Sequence, residues 1–422
     1  MPQRYKIVSI LFLLQFVNYM DRTNIALAGP SMMKGLHIDP GSFGLVLAAF
    51  TLGYAFMQIP GGTLADRFGA KIMLIVAPIV WSLFTGATGL VTSLMALIIV
   101  RVSFGIGEGA SNAAIYKMVG DNFPPGERVV ANSIWNLAFA LSPACVAPIA
   151  AWLIARAGWQ GMFLWCTLPG LVVAGIAYVG IPKQRPTHEL KDFADGGHSM
   201  NWSAALSCPS SWLIFFGYLT FNIAFWGFLG WMPSYLAISR NIDLKSLGTA
   251  ASIPYLFGAA GLIIFGWLGS RVFFRYLPIQ VALTYLFAAV FLYITYNASS
   301  ARASVAGLSA AAFFLYGGFG PFVTLVLDLA PLKMRAAFSG FVSTGGQTGG
   351  FFAPIVVGYV VKSTGSFRGG FLFMIAALCG SALCYLALTP HVLKIRKAQS
   401  MPQSADEILQ MNQGVRYVPG EQ

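Results

Sequence analysis

The residues of this chain best suited to chemistry are two acid–base pairs inside apolar segments. Asp21 and Arg22 are adjacent within an apolar run from Ile7 to Ala28, and Arg101 and Glu108 lie seven residues apart within a later run. A charged side chain in the hydrocarbon of a membrane costs at least about 2.5 kcal/mol, so such residues usually face a polar cavity and carry a function. Arginine binds carboxylates through paired N–H donors, and a desolvated carboxylic acid can exchange protons. The four residues therefore indicate a site for anions and protons.

The position of Asp21 leaves two interpretations of its helix. At about 1.5 Å of rise per residue, Asp21 lies about 21 Å along a helix that begins at Ile7. The helix either continues through the charged pair or ends early and leaves the pair at the membrane surface. The second pair favours the first interpretation, because Arg101 and Glu108 share one helix face about 10.5 Å apart. A purely structural cluster of buried ion pairs is the alternative to a functional site.

The composition indicates a membrane protein with many helices. Of the 422 residues, 57% are hydrophobic and 9% are charged, and the mean hydropathy is +0.71, whereas soluble proteins carry about 25% charged residues. The net charge of +12 comes from residues that separate apolar runs, which favours membrane orientation over nucleic-acid binding. The apolar pattern predicts twelve segments: 7–28, 41–61, 71–92, 94–118, 129–153, 160–181, 209–236, 246–269, 276–296, 303–328, 336–361 and 368–389.

The segments form two groups of six. The predicted units are an N-terminal bundle (1–181), a polar cytoplasmic linker loop (182–207), a C-terminal bundle (208–390) and a cytoplasmic tail (391–422). Most loop Lys and Arg residues fall on the side that carries both termini, which places that side in the cytoplasm. Three motifs of the first half recur at nearly one separation: Gly62–Arg67 in Gly266–Arg271, Ala147–Ile149 in Ala353–Ile355, and Trp159–Leu164 in Phe367–Leu372. The recurrence predicts a duplicated six-helix unit.

A charged turn joins the second and third segments. It reads Gly62-Thr63-Leu64-Ala65-Asp66-Arg67-Phe68-Gly69-Ala70-Lys71 and resembles G-x-x-x-D-R-x-G-x-[KR], the cytoplasmic signature of the major facilitator superfamily. We expect Gly62 to allow close helix approach and Asp66 to bind a neighbouring helix end or basic group, which would hold a gate. The second copy has Ser270 in place of the acid, so such a gate is asymmetric. The gate residues are Gly62, Asp66, Arg67, Gly69 and Lys71.

Within that superfamily the sequence resembles the anion:cation symporter family. Members carry Tyr-x-Asp-Arg in the first helix, Tyr in the second, and Arg with Glu seven residues later in the fourth; here these are Tyr19, Asp21, Arg22, Tyr54, Arg101 and Glu108. The resemblance implies an all-α fold of twelve transmembrane helices in two bundles, with both termini cytoplasmic. It implies Asp21 and Glu108 as protonation sites. It also implies Arg22 as the ligand of the substrate carboxylate, helped by Tyr54 and Tyr19, while Arg101 would hold Glu108 or the anion.

Hydroxyl, amide and aromatic side chains in other segments suit the far end of a polyhydroxylated acid. The candidates for substrate binding are Asn136, Asn222, Trp226, Ser343, Thr344 and Gln347. The glycines around Ser343 and Gln347 are equally well explained by helix packing.

The expected function is import of an organic anion by proton symport with alternating access. The substrate would be a sugar acid such as a hexuronate, aldonate or aldarate, or a related carboxylate. The alternatives are an anion exchanger, a sodium- or phosphate-linked carrier of the same fold, and a transport-silent membrane sensor. We expect no enzymatic activity, because no nucleophile–base pattern is present, and no cofactor or metal, because the cysteines and histidines lack ligand spacing. The expected partners are the anion, protons and the lipid bilayer of a bacterial inner membrane, with the protein a monomer.

Overall fold

The computed structural model describes residues 3–182, 207–330 and 335–400, and every element in these ranges is helical. Most of the predicted linker (183–206) and of the predicted tail (401–422) lies outside the described residues. The first half comprises α1 (Gln3–Gly35), α2 (Pro40–Phe68), α3 (Ala70–Thr88), α4 (Leu94–Gly109), α5 (Ser111–Asn122), α6 (Pro125–Asn136) and α7 (Ala138–Gly180). The second half comprises α8 (Pro209–Ser234) with a π-turn (Tyr235–Ser239), α9 (Leu244–Arg271), a 3-10 turn (Phe274–Tyr276), α10 (Leu277–Asn297), α11 (Ala301–Gly317), α12 (Phe319–Leu329), α13 (Arg335–Thr364) and α14 (Arg368–Ser400).

Helix lengths and composition suit a membrane. Among the described residues, nine helical stretches are long and apolar enough to cross a bilayer. One of them contains α7, in which Gly158 adopts a left-handed φ of 71° that favours glycine. The chain reverses there: Phe139 contacts Tyr19 of α1 before the break, whereas after it Trp159 lies beside Gly35 and Gly180 lies beside Ile10.

The first helix does not end at its charged pair. α1 continues to Gly35, and its residues from Thr23 to Gly29 are all buried. The interpretation that Asp21 and Arg22 lie at an early helix end is therefore wrong, because the helix keeps apolar neighbours beyond them. We name the two ends of the bundle after α1: the Gln3 face, where α1 begins, and the Gly35 face, where it ends. At the other end of the chain, α14 continues to Ser400, past the predicted end at 389, because Val392 is still buried.

Glycines bring α2 and α4 into backbone contact. A Cβ atom at Gly53 would lie 2.0 Å from the carbonyl oxygen of Val102, and one at Gly105 would lie 2.2 Å from that of Phe50. Only residues without a side chain permit this approach. The contact places Phe50 and Tyr54 of α2 directly against the charged face of α4.

The two halves pack on each other at the Gly35 face through the repeated Ala-Pro-Ile motif. A Cβ atom at Gly44 of α2 would lie 2.4 Å from the carbonyl oxygen of Pro354 of α13, and one at Gly248 of α9 would lie 2.7 Å from Cα of Pro148 of α7. Each half thus presses its proline segment onto a glycine of the other half. The duplication that the sequence predicts has its counterpart in two equivalent contacts between the halves.

Side chains add to this closure. Trp231 of α8 stacks edge-on against Phe43 of α2 and donates a hydrogen bond from Nε1 to the Pro354 carbonyl at 3.1 Å. Lys362 Nζ lies 3.3 Å from Asp39 Oδ2. Partial burial raises the pKa of Asp39, but hydrogen bonds from Ser42 and Lys362 outweigh it and hold this pKa below its ordinary value. Asp39 is therefore charged at neutral pH and pairs with Lys362 across the halves.

A methyl group at position 44 should hinder closure of the Gly35 face. Backbone atoms of α13 cannot move aside cheaply, so Gly44→Ala disfavours the closed face by about 1–3 kcal/mol. In a background with the five cysteines replaced by alanine, a short bis-thiol reagent should join cysteines introduced by Asp39→Cys and Lys362→Cys, and Gly44→Ala should lower the yield several-fold. Gly175→Ala is the matched control, because no described residue lies within 4 Å of its Cβ position. Equal yields in both variants would contradict the proposed contact.

Candidate functional site

Two connected spaces lie between the halves. A wide vestibule of about 880 Å³ is lined by residues such as Gln58, Asn112 and Ser339, which belong to helix portions nearer the Gln3 face. A smaller cavity of about 60 Å³ lies deeper and is lined by Thr51, Arg101 and other residues. Both spaces share the lining residues Tyr19, Arg22, Phe139 and Trp226. The arrangement is open towards the Gln3 face and closed at the Gly35 face.

Arg22 is held by one acid and three aromatic rings. Its Nε donates to Oε1 of Glu108 at 2.9 Å, and the Glu108 side chain has no exposed surface. The guanidinium carbon lies 5.0 Å from the ring centres of Tyr19 and Phe50 and 4.7 Å from that of Tyr54. Contacts of this kind stabilise a partly desolvated cation. Because Arg22 also lines both spaces, an anion that enters the site competes with Glu108 for it.

Arg101 has no ion-pair partner among the described residues. Its guanidinium lies against the rings of Phe50 (5.3 Å) and Phe104 (4.7 Å), and its Nε is buried without a hydrogen-bond partner. The Tyr316 hydroxyl, which lines the same small cavity, is also buried without a partner. Buried polar groups of native proteins are nearly always paired. Two unpaired donors at one cavity therefore indicate a ligand that accepts hydrogen bonds.

Asp21 faces away from the two spaces. It is 1% exposed, neither space is lined by it, and neither carboxylate oxygen has a hydrogen-bond partner among the described residues. The Asp21 carboxyl group interacts electrostatically with Glu108 and Arg101. The polar side chains of Thr85 and Asn24 also lie near it. Neighbouring residues of a helix point about 100° apart, so α1 presents Arg22 to the two spaces and Asp21 to the interior of the N-terminal half.

The structure brings most of the remaining predicted ligands to the vestibule. Tyr54, Asn136, Asn222, Trp226, Ser343 and Gln347 all line it. The amide nitrogens of Asn136 and Asn222 donate to backbone carbonyls one turn earlier at 2.8 Å, which leaves their side-chain oxygens free to accept. Thr344 is different: its side chain is exposed, lines neither space and donates to the Gly340 carbonyl. The structure therefore does not bring Thr344 to the site, because one residue beyond Ser343 turns the direction of the side chain by about 100°.

The predicted gate residues form a cluster within the N-terminal half. Asp66 accepts a hydrogen bond from Lys117 of α5 at 2.5 Å, and Lys71 donates to the Ile181 carbonyl after α7. Gly69 has a φ of 89° and makes the turn between α2 and α3, and the Arg67 guanidinium lies over the Phe68 ring. The expected close approach at Gly62 is not found there, since among the described residues its Cβ would meet only Ala113 at 3.9 Å.

The close contact belongs to the preceding glycine. A Cβ atom at Gly61 would lie 2.6 Å from Cα of Ala110, at the junction of α4 and α5. The motif gives the presence of a small residue but not the direction in which it faces.

Several residues of the site were missed from the sequence. Tyr255 and Thr51 line the small cavity, and Gln58 and Asn112 line the vestibule. Asn112 could have been found, because it lies one helical turn after Glu108; its amide donates to the Tyr54 hydroxyl at 2.5 Å. Tyr255 carries no such signal, since a tyrosine in an apolar helix is as often a packing residue.

Comparison with known proteins agrees with this architecture. The family model described as Major Facilitator Superfamily matches residues 11–354. The chain is 29% identical over 380 residues to the hexuronate transporter of Bacillus subtilis (strain 168), covering 87% of this chain and 90% of that protein. It is 30% identical over 429 residues to a probable galactarate/D-glucarate transporter of Escherichia coli (strain K12), covering 93% and 94%. The crystal structure of a bacterial homologue of the human lysosomal transporter Spinster, inward-facing and unoccupied, superposes with a TM-score of 0.78 at 18% identity, covering 93% and 98%. At that identity the superposition shows the fold alone.

Substitutions of Arg22 and Glu108 should have strongly non-additive effects on the free energy of unfolding. Removing one partner of a buried pair costs about 3–5 kcal/mol, because the other charge is left uncompensated, whereas replacing both is often nearly neutral. We expect Arg22→Leu and Glu108→Leu each to lower the free energy of unfolding by that amount, and the double variant to lose much less than the sum.

Denaturant unfolding in detergent measures the effect. The control is the Arg4–Glu127 pair, which has the same 2.9 Å distance but side chains 39% and 43% exposed, so its leucine variants should change stability by about 1 kcal/mol or less. Additive losses at Arg22 and Glu108 would show that the two charges do not depend on each other.

Proposed function

Because the chain belongs to the major facilitator superfamily, we propose that it imports an organic anion, a sugar acid or related carboxylate, together with protons. The chain is a multi-pass transporter of a bacterial membrane and not an enzyme. A sugar-acid substrate is supported by relatives named as hexuronate and galactarate/D-glucarate transporters. The observation that carries the proposal is the Arg22–Glu108 pair at the edge of a cavity that also holds the unpaired Arg101.

We infer twelve membrane crossings with the Gln3 face in the cytoplasm. The nine stretches that suit a membrane include Val130–Gly180, which reverses at Gly158 and counts twice, and the long helices α1 and α13 supply the other two crossings. Lys and Arg residues are concentrated at the loops of the Gln3 face, as cytoplasmic loops require. The vestibule then opens inward. A monomer is sufficient, since one chain supplies the whole site.

The substrate carboxylate would bind at the two arginines. Arg101 has a free donor, and Arg22 can exchange Glu108 for an anion of the same chemistry. The small cavity of about 60 Å³ holds little more than the carboxylate end of a ligand, so the remaining chain of carbon atoms extends into the vestibule. There the side-chain oxygens of Asn136 and Asn222 accept hydrogen bonds from its hydroxyl groups, and Trp226 packs on its carbon atoms.

Proton coupling follows from competition for Arg22. When the substrate takes this guanidinium, Glu108 is left fully buried with a weaker counter-charge. An isolated ionised carboxylate is very costly in such surroundings, and uptake of a proton removes the cost. Release of the anion restores the pair and favours loss of the proton. Asp21 interacts electrostatically with Glu108 and Arg101, and it provides the second acid that can take up a proton.

Asp21→Asn should abolish uphill transport. In proteoliposomes with an acidic exterior, the wild-type protein should accumulate a labelled sugar acid, and the variant should not, because it lacks an acid that can carry a proton. Asp243→Asn is the control, since this residue lines neither space and its side chain makes no capping hydrogen bond at the start of α9. Full accumulation by Asp21→Asn would remove that residue from the proton step, and wild-type uptake that ignores the gradient would favour anion exchange over symport.

The site should require a negatively charged ligand. Loss of a charge-assisted hydrogen bond costs about 1.5–3 kcal/mol, so an uncharged amide of the same sugar acid should bind at least about tenfold more weakly. D-glucuronate and glucuronamide form a matched pair that differs only in this group. Thermal stabilisation of the purified protein by each compound, and their competition with labelled substrate, measure the difference. Equal binding would contradict the assignment of the arginines as carboxylate ligands.

A further inference from the structure

A row of buried polar residues runs along α1 behind the substrate site. Gln15, Asn18, Asp21 and Asn24 follow each other at every third position, and each is at most 1% exposed. None of them lines the vestibule or the small cavity. Three amides and an acid in an otherwise apolar helix interior are expensive unless each polar atom finds a partner.

Many of these atoms have no protein partner. The described residues offer no hydrogen bond of good geometry to Oε1 of Gln15, to either polar atom of Asn18, to either carboxylate oxygen of Asp21 or to Oδ1 of Asn24. The same is true of Oε2 of Glu108. Thr85 and Asn24 nevertheless lie near the Asp21 carboxylate, and Asn18 lies near that of Glu108, so these groups are close together without being well paired. Leaving one such group unpaired costs about 1–3 kcal/mol, and ordered water molecules commonly satisfy buried polar groups of this kind. Consecutive members are about 4.5 Å apart along the helix axis and turned by about 60° around it, so the row winds around α1. One water molecule can bridge neighbouring members at this spacing.

The row is connected to the vestibule at one end. Nε2 of Gln15 donates to Oδ1 of Asn112 at 3.4 Å, and Asn112 lines the vestibule and donates to the Tyr54 hydroxyl. In the middle, Asn18 lies within reach of Glu108. At the other end Asn24 donates to Sγ of Cys166 at 3.3 Å. Beyond it α1 buries only apolar side chains as far as Met33 apart from Gly29, so the row ends there.

We infer that Gln15, Asn18 and Asn112 line a hydrated path by which protons pass between Asp21 and Glu108 and the vestibule, separate from the route of the substrate. The inference rests on the proposed proton symport. Amides do not titrate, but they orient water molecules that do transfer protons. The titratable groups that face the path are Asp21, Arg22, Arg101, Glu108, Tyr54 and Cys166. Among these the two carboxylic acids are the groups that exchange the transported protons.

The separation of the two routes has a consequence for transport. In the inward-open arrangement the substrate leaves through the vestibule, while Arg22 and Glu108 re-form their pair. The proton can leave at the same time through Asn18 and Gln15, so its release does not require the space through which the substrate leaves.

The test uses two substitutions of Gln15 that act in opposite ways. Gln15→Met keeps the length of the side chain but removes its polar atoms, whereas Gln15→Ser loses packing but keeps a hydroxyl and leaves room for water. A hydrated path predicts that methionine slows proton-driven uptake about tenfold, as expected for loss of about one hydrogen-bonded step, and that serine retains it. A merely structural role predicts the reverse order.

Counterflow separates the proton step from substrate movement. Exchange of labelled for unlabelled substrate at equal pH requires binding and alternation of the halves but no net release of protons, so Gln15→Met should leave it unchanged. Asn18→Leu should behave like Gln15→Met and serves if that variant does not fold. Gln280→Met is the matched control: Gln280 is 2% exposed and has an unpaired Oε1, but it lies in the C-terminal half, so it should affect neither assay.

Two outcomes with these variants would overturn the inference. The first is undiminished proton-driven uptake by Gln15→Met, whatever the effect of Gln15→Ser, and the second is a parallel loss of uptake and counterflow. A wild-type protein that shows counterflow but no proton-driven accumulation would contradict the proposed symport itself, and the path with it. If the path alone is wrong, the wild-type protein couples uptake to protons normally. The Gln15 and Asn18 variants then either keep normal uptake or lose uptake and counterflow together.

Discussion

The buried Arg22–Glu108 pair is the interaction on which the rest of the site depends. Glu108 has no exposed surface, and a carboxylate so placed is retained only where a cation and hydrogen-bond donors lie against it. The close approach of α2 and α4 at Gly53 and Gly105 supplies those surroundings, because it places two aromatic rings of α2 on the guanidinium of Arg22. A bulkier residue at either glycine would separate the helices and expose the pair to water. The packing of three helices is thus matched to a single ion pair.

The two halves share repeated sequence motifs but differ in the kinds of polar side chain that they bury. Their prolines and glycines make equivalent contacts at the Gly35 face, yet among the described residues the buried charged side chains Asp21, Arg101 and Glu108 all belong to the N-terminal half. The C-terminal half contributes aromatic, amide and hydroxyl groups instead. In the transport cycle that we propose, movement of one half against the other would therefore leave the charge cluster intact. The arrival of an anion or a proton would then be what changes the ion pairs within it.

Much of this organisation could be predicted from the sequence, and the parts that could not have physical reasons. Charges in apolar runs, the duplicated motifs and the tight turn at Gly69 follow from composition and spacing, and membership of the superfamily follows from their combination. The resemblance implied that Arg101 holds Glu108 or the anion, whereas the structure pairs Glu108 with Arg22; the sequence could not give this partner, since it depends on how α1 and α4 are rotated about their axes. The same rotation decides that Thr344 faces outward and that Gly61, not Gly62, makes the close contact. Gln15 and Asn18 were overlooked because amides hardly interrupt an apolar run, although each of their buried polar atoms still needs a hydrogen-bond partner.

Charge balance sets a limit on what the N-terminal half can carry in the symport we propose. With both acids ionised, Asp21 and Glu108 offset Arg22 and Arg101. A monocarboxylate adds one negative charge, which one proton on either acid compensates, and a dicarboxylate adds two, which require both acids to be protonated. Because an uncompensated charge in a low-dielectric interior costs several kcal/mol, the loaded site moves readily only when it is neutral. Relatives named for hexuronate and for galactarate/D-glucarate differ in this respect, since the first substrate is a monoacid and the others are diacids. Two acids suffice for either class, so the number of protons moved depends on the charge of the substrate and not on additional residues.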